Sequence, residues 1–410
     1  MKKHHKIVRS NIMDKKKCVV IGVTGGIAVY KALDVISALR KKDVDVRVIM
    51  TKHAMEFVNP ITFQAISQNM VTTDMFEEPK AWEIQHISLA KRADVFLVAP
   101  ATANIIGKVA NGIADDMLST TIMATKAKVV FAPAMNTNMY ENPIVQENIK
   151  KLKNLGYEFI EPSSGRLACG DEGKGKLAPV QDIVDITMSN LYDKKDLVGK
   201  KVLVTAGPTR ASIDPVRFIS NHSTGKMGYA IAEEARDRGA DVTLISGPTN
   251  EEPLVGIKTI KITTNSEMRE EVLSLYDNAD IVIKSAAVAD YKPKEYSNEK
   301  IKKGEGSLVI ELVRDNDILK ELGDKKQNQI LVGFAAESQN VVENARKKIE
   351  KKNLDYIVAN DITSKDTGFA SSDNKVTIIS KNGEEFPLEK MSKRKVARNL
   401  FDIILEKRIN

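Results

Sequence analysis

Short apolar runs rich in β-branched residues alternate with amphipathic stretches along this chain. Cys18-Val-Val-Ile-Gly-Val23, 93–99 and 127–132 read as strands buried on both faces. Each ends in a small or polar loop: Thr24-Gly-Gly26, Pro100-Ala-Thr-Ala-Asn104 and Pro133-Ala-Met-Asn136. Helical patterns follow over 27–40, 105–110 and 117–126, and 44–50 alternates like a further strand. Residues 53–70 predict two short helices broken at Pro60, and 82–91 predict a helix carrying His86. Buried strands that each feed a polar loop and a helix predict a doubly wound parallel sheet, with ligands at the carboxyl-end loops.

The same grammar restarts near Gly199. Strands are predicted over 201–206, 241–246, 280–285, 329–335 and 354–359, with helices over 225–238 and 338–352. Residues 211–223 predict a long loop. A late hairpin is predicted from 376–380 and 384–388 around Asn382-Gly383, with a final helix from near Glu389. The fold class is therefore α/β: two Rossmann-like three-layer domains, over 17–190 and 191–410, behind a short tail over 1–16.

Between the two runs lies Ser163-Ser-Gly-Arg-Leu-Ala-Cys-Gly-Asp-Glu-Gly-Lys-Gly-Lys-Leu-Ala-Pro179, with four glycines, three basic residues and Cys169. Glycine-dense, charged backbone suits either a flap that closes over a ligand or a flexible linker. Thr24-Gly-Gly26 offers free N–H groups at a helix start, a geometry that binds phosphate, although a plain strand-to-helix turn reads the same way. It is not G-x-G-x-x-G, so dinucleotide binding is not supported. Thr224-Gly-Lys226 is not a Walker A loop, because Ser220 replaces its first glycine and Met227 its Ser/Thr.

Composition narrows the classes. Charged residues are 29% and hydrophobic ones 42%, as in soluble globular proteins. The net charge is +7, but residues 1–17 alone hold seven Lys/Arg against Asp14. A basic, disordered tail on a near-neutral body gives no footprint for nucleic acid. No apolar run reaches membrane-spanning length, and the tail lacks the core of a secretory signal. Two cysteines, Cys18 and Cys169, exclude a disulfide framework and point to a reducing, cytoplasmic setting. The five histidines form no metal-ligand spacing with them.

Eight motifs in order carry a resemblance over roughly residues 17 to 405. They are Thr24-Gly-Gly-Ile-Ala28, His86-Ile-Ser-Leu-Ala90, Ala99-Pro-Ala-Thr-Ala-Asn104, Pro133-Ala-Met-Asn136, Gly165-Arg-Leu-Ala-Cys-Gly170, Ile219-Ser-Asn-His-Ser-Thr-Gly-Lys-Met-Gly228, Ala286-Ala-Val-Ala-Asp290 and Lys300-Ile-Lys-Lys303. Together they resemble the bacterial bifunctional phosphopantothenoylcysteine decarboxylase/phosphopantothenate–cysteine ligases of coenzyme A biosynthesis.

The resemblance implies an FMN-dependent decarboxylase in the first half. Gly25, Gly26, Ile27, Thr51, Thr102, Ala103 and Asn104 match its FMN contacts. His86 matches the proposed base, Asn136 the residue holding the substrate carboxylate, and Cys169 the proton donor on the flap. Losing CO2 beside an unactivated carbon needs an electron sink, which the cofactor supplies while the protein positions and protonates. From the residues alone, His86 also reads as an ordinary helix histidine and Asn136 as a turn residue.

The second half would activate phosphopantothenate with CTP as an acyl-cytidylate, which the cysteine amine then attacks. Asn221 matches the residue that handles this intermediate. Lys284, Ser285, Ala286, Asp290, Lys300, Asn316, Asp317, Ile318, Leu319, Phe334, Lys348 and Lys352 match the nucleotide site. Lys348 and Lys352 read equally as a solvated helix face. Magnesium is expected with the triphosphate, its ligands unassigned. The implied partners are small molecules (4'-phosphopantothenate, cysteine and CTP), with no nucleic acid or membrane. The implied assembly is a homo-oligomer: trimeric decarboxylase domains and dimeric ligase domains, combinable in a dodecamer. A flavoprotein with one active half and a non-catalytic flavin-binding regulatory subunit are the alternatives. The presence of His86, Asn136, Cys169, Asn221, Asp290 and Lys300 together disfavours both.

Overall fold

Residues 16–76, 84–166, 170, 172–303, 307–337, 341–361 and 373–406 are described by the structure, a computed structural model. Expectations for the tail before Lys16, for the start of the helix at Trp82 and for Cys169 fall outside these residues. The chain divides into two units, Met1–Leu191 and Tyr192–Asn410.

The first unit opens with β1 (Cys18–Val23), α1 (Val29–Lys41), β2 (Asp45–Met50), α2 (Lys52–Met55), α3 (Pro60–Ser67), β3 (Val71–Thr72) and α4 (Gln85–Arg92). It continues with β4 (Val95–Ala101), α5 (Ala103–Ala110), α6 (Met117–Ala124), β5 (Lys128–Pro133), α7 (Thr137–Glu141), α8 (Pro143–Asn154) and β6 (Glu158–Phe159). It closes with β7 (Ser163–Arg166), β8 (Glu172–Lys176) and α9 (Val180–Asn190). The sheet order is β3-β2-β1-β4-β5-β6, and every pair is parallel.

All six residues of β1 are buried. Val19, Ile21 and Val23 join a core with Val35, Leu39 and Phe63, while Cys18 and Val20 join Ile105, Leu118 and Ile122 on the opposite face. Period-two alternation thus feeds two helical layers, and each large apolar side chain so buried contributes about 1.5–3 kcal/mol. Pro60 does not merely interrupt a helix. It occupies the first turn of α3 behind the Asn59 cap, whose Oδ1 accepts from Ile61 N at 3.0 Å.

The second unit contains β9 (Lys201–Ala206), β10 (Arg210–Ser212), β11 (Phe218–Ser220), α10 (Lys226–Asp237), β12 (Asp241–Ser246), β13 (Lys258–Lys261) and α11 (Asn265–Tyr276). Then come β14 (Ile281–Lys284), β15 (Tyr291–Pro293), β16 (Leu312–Arg314), α12 (Ile318–Lys325), β17 (Ile330–Glu337) and α13 (Val341–Lys351). Last are β18 (Tyr356–Asp361), β19 (Asp373–Ser380), β20 (Glu385–Ser392) and α14 (Lys393–Glu406). Eight strands run β13-β12-β9-β14-β17-β18-β19-β20, parallel through β18 and antiparallel beyond it. Apolar layers cover both faces, so the expected pair of three-layer α/β units is present.

Two local expectations fail. The segment 211–223 is not one loop: Arg210–Ser212 and Phe218–Ser220 pair antiparallel. The turn between them is held by Asp214, whose Oδ1 accepts from Val216 N and Arg217 N, each at 2.8 Å. The last helix begins at Lys393, not near Glu389. Residues 385–392 stay in the ladder with β19, because Phe386, Leu388 and Met391 reach the core.

A buried ionic network ties the start of this unit to α10 and α14. Arg238 is fully buried; its Nε donates to Glu234 at 2.9 Å, and its other nitrogens reach Asp196 at 3.2 Å and Asp402 at 2.5 Å. Removing one member of such a network strands its partners without compensation. Arg238→Ala is expected to destabilise this unit by about 3–5 kcal/mol, read from its chemical unfolding transition. A loss under about 1 kcal/mol would class the network with exposed ion pairs.

Candidate functional site

Because the sheet of the first unit is parallel, its strand ends and the loops after them share one edge. Thr24, after β1, donates its hydroxyl to Pro100 O at 2.6 Å and accepts from Thr102 N at 3.1 Å. The β1 and β4 loops are thereby locked together where the strand order reverses, between β1 and β4. Gly25 lies against His53: a Cβ there would sit 2.4 Å from His53 Cβ and 2.7–2.8 Å from its backbone. A Cβ on Gly26 would lie 3.9 Å from the Thr102 methyl. Thr51 caps α2, accepting from Ala54 N at 3.3 Å. Ile27 is 62% exposed and Asn104 is exposed.

Helix α5 starts after Thr102 with no side-chain cap, so the first-turn N–H groups, at Ala103 and Asn104, are offered at this edge. A bare-backbone turn at Gly25-Gly26 beside an uncapped helix start fits the phosphate of a flavin nucleotide. The seven residues expected at the cofactor thus lie on the loops after β1, β2 and β4 and in the first turn of α5.

Asn136 follows β5 and caps α7, accepting from Asn138 N at 2.8 Å. Its turn role and its place at the edge coexist. Helix α4 leads into β4 and so runs antiparallel to it, which puts His86, in its first turn, at the same edge and half-buried.

The glycine-rich stretch forms an antiparallel ribbon of β7 and β8. Met135 N donates to Gly175 O at 3.0 Å, and a Cβ on Gly175 would meet Met135 O at 2.4 Å. A Cβ on Gly173 would meet the Thr137 side chain at 2.6 Å. The ribbon lies against the Asn136 loop at glycine-only distances, which favours the flap over the linker. Glu161 anchors it. The hydrogen bond from Lys174 Nζ at 2.8 Å, helped by Lys153 and opposed by partial burial, lowers its carboxyl to about 2.

In the second unit a cleft of about 490 Å³ opens at the carboxyl side of β14, β17 and β18. Asn221 spans the strand-order reversal, donating from Nδ2 to Ala287 O and Val288 O, each at 3.1 Å. The loop it grips is also fixed by Thr205 Oγ1, which accepts from Ala286 N at 3.2 Å, and Thr209 Oγ1, which accepts from Ala289 N at 2.9 Å. Gly228 brings α10 onto β9, since a Cβ there would lie 2.5 Å from Ala206 Cβ.

Lys284, Ser285, Ala286, Asp290, Asn316, Asp317, Ile318, Leu319, Phe334, Lys348 and Lys352 all line this cleft with Asn221. Asp317 pairs with Lys352 at 3.0 Å. Its carboxyl is pushed up by burial, but Lys352 and Lys320 N bring it below its ordinary value. Lys300 is exposed and does not line the cleft. Its neighbour Ile301 is bound to Asp214 and Arg217 instead.

Several lining residues lie outside the set assigned to the site from sequence, among them Lys226, Lys393, Asn360 and Asn374. Lys226 sits inside the rejected Walker-like motif, and Lys393 hid behind the misplaced start of α14. Asn360 and Asn374, on β18 and β19, line the cleft with Oδ1 atoms that find no hydrogen-bond partner among the described residues. Such orphaned acceptors fit a ligand that brings donors. No cluster of three His, Cys, Asp or Glu side chains among the described residues could hold a metal. A second hollow, of about 930 Å³, lies at the amino ends of β17 and β18, the end opposite the ligand edge.

Each of the two α/β units thus gathers its candidate site residues at the switch point of its parallel sheet. Residues 7–192 match the flavoprotein family, and 197–407 match the DNA/pantothenate metabolism flavoprotein C-terminal domain. Over 391 residues the chain is 52% identical to the coenzyme A biosynthesis bifunctional protein CoaBC of Bacillus subtilis (strain 168), covering 95% of this chain and 96% of that protein. It is 46% identical to the protein of the same name from Borreliella burgdorferi, covering 96% and 100%. A crystal structure of the C-terminal domain of such a protein matches at 46% identity, covering 52% of this chain and 99% of that one, with a TM-score of 0.45. The chain belongs to the family of bifunctional coenzyme A biosynthesis enzymes, which join a decarboxylating flavoprotein to a ligase.

Proposed function

We propose that the second unit joins cysteine to 4'-phosphopantothenate with CTP, and that the first unit, holding FMN, decarboxylates the product to 4'-phosphopantetheine. The observation that carries this reading is the Asn221 bridge over a cleft whose walls carry Lys226, Lys348, Lys352 and Lys393. A phosphopantothenate carboxylate oxygen attacks the α-phosphorus of CTP and pyrophosphate leaves. The cysteine amine then attacks the acyl carbon, CMP leaves, and the amine proton passes to solvent. Lys348 and Lys352 face the nucleotide's negative charge, and Asn221 keeps the Ala287-Val288 backbone aimed at the reacting phosphate. Magnesium bound to the triphosphate belongs to the same proposal.

In the first unit, Gly25, Gly26, Thr102, Ala103 and Asn104 would hold the cofactor's phosphate. Ile27 and Thr51 would flank it. When bound, FMN takes up and returns the two electrons that make loss of CO2 feasible. His86 would take the substrate's thiol proton and Asn136 would hold the departing carboxylate. Cys169, on the segment between β7 and β8, would return a proton to the product carbon. Trimeric first units, dimeric second units and a cytoplasmic setting complete the reading. No described helix is long and apolar enough to cross a membrane.

The ligase is expected to prefer CTP. Phe334 and the backbone around Asn316 to Leu319 offer a fixed surface to the base, and a mispaired buried donor there is costly. Specificity constants for CTP and ATP, measured by pyrophosphate release, should differ by about 100-fold or more. Equal constants would overturn the nucleotide assignment.

A further inference from the structure

Lys284 ends β14 at the floor of the cleft and is only 7% exposed. The hydrogen-bond partner of its Nζ is Met268 Sδ on α11, at 3.8 Å, a weak acceptor that neutralises no charge. No carboxylate pairs with it among the described residues. The charged groups that line the cleft with it come from several elements, Lys226 at the start of α10 and Lys393 at the start of α14 among them. Asp317, at the start of α12, is already engaged by Lys352 Nζ at 3.0 Å and by Lys320 N at 3.1 Å. Lys348 and Lys352 come from α13 and its end, and Asp290 from the loop after β14. The wall from β17 is Phe334.

An ammonium buried beside another cation, with no counterion of its own, favours its neutral form. Burial first, and then Lys352, bring the Lys284 amine down to about 7, against the opposing pull of Asp317 and Asp290. Without an anion beside it, this amine is therefore expected to be largely uncharged above neutrality. An anion placed in the cleft supplies the missing counterion and restores the charge.

We propose that Lys284 is a proton-linked anchor for the nucleoside triphosphate: the ligand's phosphates draw a proton onto its amine, and the charged form then holds them. This rests on the nucleotide reading of the cleft and adds to it the source of part of the binding charge. It also predicts that nucleotide affinity falls as pH rises through the range where the free amine is neutral and the bound amine begins to lose its proton.

The test is calorimetric titration of the full-length protein with CTP and magnesium in buffers of different ionisation enthalpy. At about pH 8, above the phosphate's own titration near 6, the unmodified protein should take up close to one proton per nucleotide. Its affinity should weaken about tenfold or more between about pH 7 and pH 9. Lys284→Met, which keeps the length and removes the amine, should show no linked uptake and a flat affinity over that range. The variant should melt at the same temperature or higher, since it removes a poorly partnered buried amine. No uptake by the unmodified protein, or equal uptake by both proteins, overturns the proposal while leaving CTP binding intact. Absence of both CTP binding and CTP-dependent turnover would overturn the nucleotide reading itself.

Discussion

Asn221→Ala is expected to lower the ligation rate by about two to three orders of magnitude and to leave CO2 release from supplied phosphopantothenoylcysteine unchanged. The variant loses both 3.1 Å bonds from the Asn221 amide to Ala287 O and Val288 O. The loop should still fold, because the Thr205 and Thr209 hydroxyls and the Ala287 N to Gly207 O bond at 3.0 Å remain. What is lost is the fixed aim of the backbone that lines the cleft at the strand-order reversal. A misplacement of about an ångström at such a site costs about 100-fold. Activity within about threefold of the parent would show that the bridge is only structural. Pyrophosphate and CO2 release, measured on the same preparation, separate the two halves.

Gly25→Ala is expected to give a colourless protein with no decarboxylase activity and normal ligation. The added methyl carbon would lie 2.4 Å from His53 Cβ and 2.8 Å from His53 O. Backbone atoms cannot swing aside as a flexible side-chain tip can, so the turn must move. The moving part is the bare N–H surface beside α5, the feature that fits the cofactor's phosphate. Thr24 links that turn to Pro100 and Thr102, so the displacement reaches both halves of the cradle. The yellow absorbance of the purified variant and its CO2 release report the outcome. Full flavin content with full turnover would place the cofactor elsewhere.

The parts of the fold that could be read from sequence are those whose residues face two apolar layers. Cys18–Val23 and Val95–Ala101 are buried throughout, so their runs are continuous and unmistakable. Val71–Thr72 and Glu158–Phe159 are two-residue edge strands, too short to carry a period. The ribbon of Ser163–Arg166 and Glu172–Lys176 has no apolar alternation at all. It exists because glycines let it approach Met135 and Thr137, a tertiary cause that local pattern does not encode. The same holds for residues 389–392, whose Glu and Lys suggest a helix while the strand partner keeps them in the sheet.

The candidate sites follow a similar division. Gly25, Thr102, Asn136 and Ala286 were legible from motifs that each follow a readable strand; Asn221 was legible from its motif alone, since the short strand before it reads as loop. Lys226, Asn360, Asn374 and Lys393 reach the cleft from elements whose contribution depends on packing. Lys300 shows the converse: a recognisable motif residue that stands exposed outside the cleft. The low basicity of Lys284 was not readable either, because it comes from what surrounds the amine and not from its neighbours in sequence.

One measurement tests the central claim, that a single chain carries both reactions at two separate carboxyl-edge sites. The purified full-length protein is given 4'-phosphopantothenate, CTP, magnesium and cysteine labelled at its carboxyl carbon, and labelled CO2 and phosphopantetheine are followed together. The account predicts labelled CO2 in step with phosphopantetheine, strictly dependent on both CTP and cysteine, slowed by about two to three orders of magnitude in Asn221→Ala and absent in Gly25→Ala. Accumulation of undecarboxylated phosphopantothenoylcysteine by the unmodified protein, or no product at all while supplied phosphopantothenoylcysteine is decarboxylated, would contradict it.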